Sequence, residues 1–166
     1  CRYLYSHGHR SVGYIRTEPK ISGPPLLADY FRKGAELLGM QIEVIESEVS
    51  YGEFSAEKSS ECIQNYLEAH NGQLPFTALF CESHDPAVAI AGRLLRCGIR
   101  IPEELAIIGF DDLLYSQFFN PPLTTVRQPY EEFGRLAYEY VRRKLAEPDY
   151  FAQIEIKPTL IERSTT

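Results

Sequence analysis

The sequence lacks most of the features that fix a function at a glance. No run of about 18 apolar residues is present, so no segment reads as a membrane-spanning helix. The first residues, Cys1-Arg2-Tyr3-Leu4-Tyr5-Ser6-His7, hold no long apolar stretch of the kind a secretion signal is built on. Cysteine is scarce, and none of Cys1, Cys62, Cys81 and Cys97 lies in Cys-x-x-Cys spacing, so zinc and dithiol motifs find no support. Cys62, Cys81 and Cys97 fall in apolar stretches and read as small buried hydrophobes of a protein from the reducing cytoplasm. Positive charge is short as well. The formal net charge is −6, with no dense Lys/Arg patch, which excludes a free-standing nucleic-acid-binding module. The single basic run, Arg142-Arg143-Lys144, ends a predicted helix, where cations offset the helix dipole. A P-loop, a GxGxxG turn, a nucleophile elbow, internal repeats and low-complexity segments are all missing.

What is present is ordinary globular material. Hydrophobic residues make up 44% and charged residues 24% of 166, which suits one domain with a core of its own. Strand and helix patterns alternate. Val12 to Ile15 reads as a strand after a Gly8-His9-Arg10 corner. Residues 25–39 carry Leu26, Leu27, Tyr30, Phe31, Leu37 and Leu38 at helical spacing, with Gly39 as the C-cap. Residues 41–46 alternate polar and apolar as a half-buried strand does. Ser55 is expected to cap a helix running to about His70, with Lys58 where a capping box would want Glu or Gln. Residues 77–81 and 105–110 are continuous apolar runs, the mark of buried parallel strands. Between them residues 86–97 read as a helix closed by Gly98. Thr124-Thr125-Val126 is a strand, residues 130–146 a strongly periodic helix, and Ile154-Glu155-Ile156 the start of a last extended segment. The loops at 51–55 and 147–152 are expected to be the mobile points. The order βαβαβαβ, then strand, helix, strand, predicts an open, mostly parallel sheet with helices on both faces.

In such sheets ligands bind beyond the carboxyl ends of the strands. Those ends are Arg16-Thr17, Glu82-Ser83-His84-Asp85, Asp111-Asp112 and Arg127-Gln128. His84 beside Glu82 and Asp85 could belong to a metal or acid/base pair. A hydrogen-bonded histidine in a solvated loop is the simpler reading, because no further His lies at ligand spacing. No cofactor is called for, and no catalytic residue emerges.

Three strings resemble the lactose-repressor/galactose-repressor (LacI/GalR) family of bacterial transcription regulators. They are Ser6-His7-Gly8-His9-Arg10-Ser11-Val12-Gly13-Tyr14-Ile15, then Gly98-Ile99-Arg100-Ile101-Pro102-Glu103-Glu104-Leu105 leading to Gly109-Phe110-Asp111-Asp112, then Pro121-Pro122-Leu123-Thr124-Thr125-Val126-Arg127-Gln128 with the terminal Glu162-Arg163-Ser164-Thr165. The resemblance covers nearly the whole chain. It implies a periplasmic-binding-protein-like (type I) lobe, a sensing domain for a small effector (a sugar or related metabolite), and a homodimer. DNA would be reached only through a separate N-terminal head, with no membrane and no enzymatic turnover. The related alternative is a periplasmic-type sugar-binding protein of a transport system. The strings begin where the second lobe of such proteins begins. The head, the hinge helix and almost all of the first lobe are therefore expected to lie outside these residues. A start at Cys1 rather than Met favours a fragment over a shortened homologue.

The resemblance also implies site residues. Sugar-binding relatives clamp hydroxyls with an Arg early in the helix after the first strand and an Asp after the third. Counting without gaps puts Leu27 at the first position and Ser83-His84 at the second, with Asp85 one residue on. Both usual clamps are thus changed, and a typical neutral hexose is not the expected effector. The expected ligand-binding residues are His84, Asp85, Asp111, Gln128 and Tyr130. Dimerisation is expected through the end of the helix near Arg93 and Arg96 together with the adjacent aromatics Phe118 and Phe119. Helix 130–146 belongs to the first lobe in relatives, so its apolar stripe is expected to be covered by a neighbouring chain.

Overall fold

A computed structural model describes residues 1–17, 27–47, 49 and 55–166. The element order is α1 (Arg2–Ser6), β1 (Ser11–Arg16), α2 (Leu27–Glu36), β2 (Gln41–Glu46), α3 (Ser55–Ala69), β3 (Ala78–Cys81), α4 (His84–Arg96), β4 (Ala106–Asp111), a 3₁₀ turn (Leu114–Gln117), β5 (Thr124–Arg127), α5 (Tyr130–Ala146) and β6 (Thr159–Ile161). The described strands form one sheet in the order β2-β1-β3-β4-β5-β6. The first five run parallel, and β6 returns antiparallel beside β5. The chain leaves β1 to one side for β2 and comes back on the other for β3. This reversal creates a topological switch point between β1 and β3, the place where open α/β sheets leave a crevice.

Alternation along the strands sorts side chains onto two faces. One face carries Ile15, Leu79, Cys81 and Ile107 under α3 and α4, which contribute Ile63, Leu67, Ile90, Ala91 and Leu94. The other carries Val12, Tyr14, Ala78, Phe80, Ala106 and Ile108 under Leu4 of α1 and Ala28 and Ala35 of α2. Helices therefore cover both faces, as expected. The continuous apolar run of β3 is buried at every position. In α5, by contrast, no residue is buried.

Several local expectations change. Helix α4 starts at His84, two residues before Pro86, so the supposed solvated loop is a helical first turn. Ser55 is the first residue of α3 rather than its cap. Residues 25 and 26 of the expected first helix, and residues 51–54 of the expected mobile loop, lie outside the described residues. Gly39 closes α2 in the left-handed region (φ +66°), and Met40 N–H reaches back to the Ala35 carbonyl. Gly109 lies inside β4. An added Cβ there would sit 2.9 Å from Leu123 Cδ2 and 3.1 Å from Ala87 Cβ, so its role is close helix–sheet approach. The turn falls on Asp111 and Asp112, both left-handed at φ 78° and 49°. Cys97 is exposed, not buried, because α4 ends at Arg96 and its final turn faces outward. Ile154-Glu155-Ile156 forms no strand; the last one begins at Thr159.

Candidate functional site

The carboxyl edge of the sheet gathers the polar side chains. At the end of β4 the Asp111 Oδ1 accepts hydrogen bonds from Gln128 Nε2 and from the Tyr130 hydroxyl, each at 2.7 Å. Gln128 Nε2 also lies 3.2 Å from that hydroxyl. Partial burial first, and the Asp111 hydrogen bond and charge second, push the Tyr130 phenol up to about 12, so it stays a neutral donor. The next residue, Asp112, is nearly enclosed and is gripped by Arg127 at 2.6 Å and Arg163 at 2.8 Å. Burial pushes its carboxyl up. The hydrogen bonds and charges of Arg163 and Arg127 outweigh that and hold it below its ordinary range. The two acids thereby tie together the ends of β4 and β5, the start of α5 and the tail after β6. An open pocket of 620 Å³ lies over this junction, lined by Asp111, Arg127, Gln128, Tyr130 and Arg135 among others.

At the switch point, Glu82 follows β3 and is buried at 7% exposure. It accepts from the buried Tyr14 hydroxyl at 2.7 Å, from the Thr17 hydroxyl at 3.0 Å and from the Thr17 N–H. Tyr14, Phe31 and Phe80 form an aromatic floor beneath it, with ring centroids 4.8–5.4 Å apart. His84 is buried, its Nδ1 3.1 Å from the Ser116 hydroxyl. Arg16 ends β1 and contacts Glu46 of β2 at 3.5 Å. Cys81 is inert here, since burial pushes its thiol far up. Among the described residues no group of three His, Cys, Asp or Glu is placed to hold a metal ion.

Of the expected ligand-binding residues, the structure brings Asp111, Gln128 and Tyr130 together. His84 lies on the same edge but turns inward to Ser116, and Asp85 is exposed on the first turn of α4. Of the expected dimer residues, Phe118 is 71% exposed but Phe119 packs against the core, so the two are not an exposed pair. Arg93 Nε is directed to Ser60 of α3, and Arg96 is exposed. Sequence reasoning did not select Arg16, Glu82 or Asp112. Their signal was a charged residue placed directly after an apolar strand run. The Tyr14–Glu82 contact spans 68 positions and leaves no local trace.

An open parallel lobe with a polar carboxyl edge has the build of a binding lobe. The sequence model of the periplasmic binding protein-like domain matches residues 1–166, and the chain belongs to that family. It is 31% identical over 166 residues to the HTH-type transcriptional repressor PurR of Aliivibrio fischeri, covering 99% of this chain and 48% of that one. It is 36% identical over 137 residues to the repressor CytR of Escherichia coli, covering 81% and 38% respectively. The chain thus spans about half the length of the curated relatives it matches. Among solved structures, a LacI-family regulator of Bifidobacterium animalis superposes with a TM-score of 0.79 at 25% identity, over 99% of this chain and 58% of that one. A cellobiose complex of the regulator CelR superposes with 0.79 at 26%, over 99% and 49%. No described helix is long and apolar enough to cross a membrane.

Proposed function

We propose that these residues are the effector-sensing part of a LacI/GalR-type transcription regulator working in the cytoplasm. The observation that carries this reading is the Asp111–Gln128–Tyr130 network. It joins the carboxyl edge of the sheet to the first turn of α5, so a ligand seated there bears on both. A ligand that prefers one of two arrangements shifts the protein toward it, and through that shift alters an attached DNA-binding head. The repressors PurR and CytR support this over a transport protein and over an enzyme. The effector is a small metabolite, a sugar or a related compound, held by Asp111, Gln128 and Tyr130, with His84 and Asp85 on the neighbouring strand end. The negative charge of this part leaves operator DNA to a separate head.

Dimerisation belongs to the same proposal. Leu114, Tyr115 and Phe118 form an exposed apolar patch on and just after the 3₁₀ turn, with Phe119 packed inward as its anchor. Sedimentation of Phe118→Asp is expected to give monomer where the parent gives dimer; an unchanged mass removes this patch from the interface.

The ligand site is tested by thermal-shift screening of the full-length protein against sugars, sugar acids and nucleosides. At least one compound is expected to raise the melting temperature, and Gln128→Ala and Tyr130→Phe to reduce that rise. A compound that stabilises parent and variants equally places the site elsewhere.

A further inference from the structure

The carboxylates at the strand ends are engaged within the chain. Glu82 takes Tyr14 and Thr17, Asp111 takes Gln128 and Tyr130, Asp112 takes Arg127 and Arg163, and Glu46 faces Arg16. The donors are not so well used. The Arg16 side chain is 14% exposed, its one contact among the described residues is the 3.5 Å approach to Glu46, and its Nε is buried with no partner. A guanidinium cannot discard its charge, so buried N–H groups left this way call for an acceptor. His84 is similar. Ser116 can donate to Nδ1, which leaves a hydrogen on Nε2, and that nitrogen has no partner among the described residues.

These two donors flank the switch point. Ile15 pairs with Cys81 across β1 and β3, so Arg16 directly follows the strand on one side of the crevice, and His84 opens α4 three residues past Cys81 on the other. Leu27, where the family resemblance would place a cation, instead packs on the core cluster of Leu4, Val12 and Tyr14. Resting on the effector-site reading above, we infer that Arg16 is the cation of this site and that the effector carries an acidic group, carboxylate or phosphate. That group is received by the Arg16 guanidinium, with His84 Nε2 as a second donor. A charge-assisted, forked contact in a half-dry crevice favours such a group over a neutral hydroxyl.

The test is calorimetric titration of the full-length protein with matched neutral and acidic probes: glucose against gluconate and glucose 6-phosphate, ribose against ribose 5-phosphate, adenosine against adenosine monophosphate. An acidic member is expected to bind at least tenfold more tightly than its neutral mate, gluconate and the phosphates telling the two acids apart. Arg16→Gln is expected to remove that advantage while leaving the ligand-free melting temperature close to the parent's. Arg16→Lys should keep part of it, and His84→Gln should weaken the same probes less. A neutral probe that binds as tightly as its acid, an acid indifferent to Arg16→Gln and Arg16→Lys, or no binding by any acidic member overturns the inference. If a neutral probe binds and Gln128→Ala abolishes it, the site stands and only its acidic specificity fails. If binding ignores both Arg16 and Gln128, the site itself is misplaced.

Discussion

Asp112 concentrates the energetics of the edge in one side chain. Its two arginine partners lie on β5 and just past β6, so one carboxylate pins three segments. Because its pKa is held below the ordinary value of about 3.9, its stabilisation is present above that value and is lost as pH falls through the folded one. Asp112→Asn is expected to cost roughly 1.5–3 kcal/mol at pH 7, a difference that shrinks below about pH 4. Urea unfolding at pH 7 and pH 3 measures both. Arg127→Gln should cost less, since Arg127 is half exposed and screened by solvent. At this scale the strand-end rule named Arg16, Glu82, Asp111, Asp112 and Gln128 alike, and the family resemblance added Tyr130. Neither told how they pair, because the partners of Arg16 and Glu82 lie on other strands. His84 was misread as solvated because nothing local announces that Ser116, 32 residues away, covers it.

Elements were read more fully than residues, since burial on one or two faces imposes a period on the sequence. The continuous runs at β3 and β4 and the stripe at 130–146 gave their types directly, and Gly39 and Gly98 marked two helix ends through their left-handed backbone. Helix α1 and the 3₁₀ turn went unseen. Five and four residues are too few to carry a helical period. Glycine in a strand serves both turns and close approach, and at Gly109 only the neighbours Leu123 and Ala87 decide between them. Leu123 can shift at its tip, but the Ala87 Cβ is fixed on α4. Gly109→Ala is therefore expected to destabilise by about 1–3 kcal/mol through overpacking, read as a lower denaturation midpoint at unchanged slope. An unchanged midpoint would mean that α4 is not seated as tightly as its contacts require.

For the whole molecule, α5 is the element whose surroundings are incomplete. Tyr138, Val141 and Leu145 are 70%, 56% and 81% exposed on a helix with no buried residue. Large apolar side chains left in water forgo about 1.5–3 kcal/mol each, and a second copy can cover them in the 166-residue chain. Amides of residues 130–146 are then expected to exchange slowly at high concentration and faster on dilution. Fast exchange at every concentration would show that no neighbour covers this helix. The proposed function has a ligand at the polar edge act on the α5 junction. Operator-release titration of the full-length protein, by fluorescence anisotropy with a metabolite that stabilises it, tests that claim most directly. Gln128→Ala is predicted to raise the metabolite concentration needed for half-release at least tenfold, about 1.4 kcal/mol. Equal half-release concentrations for parent and variant would contradict the account.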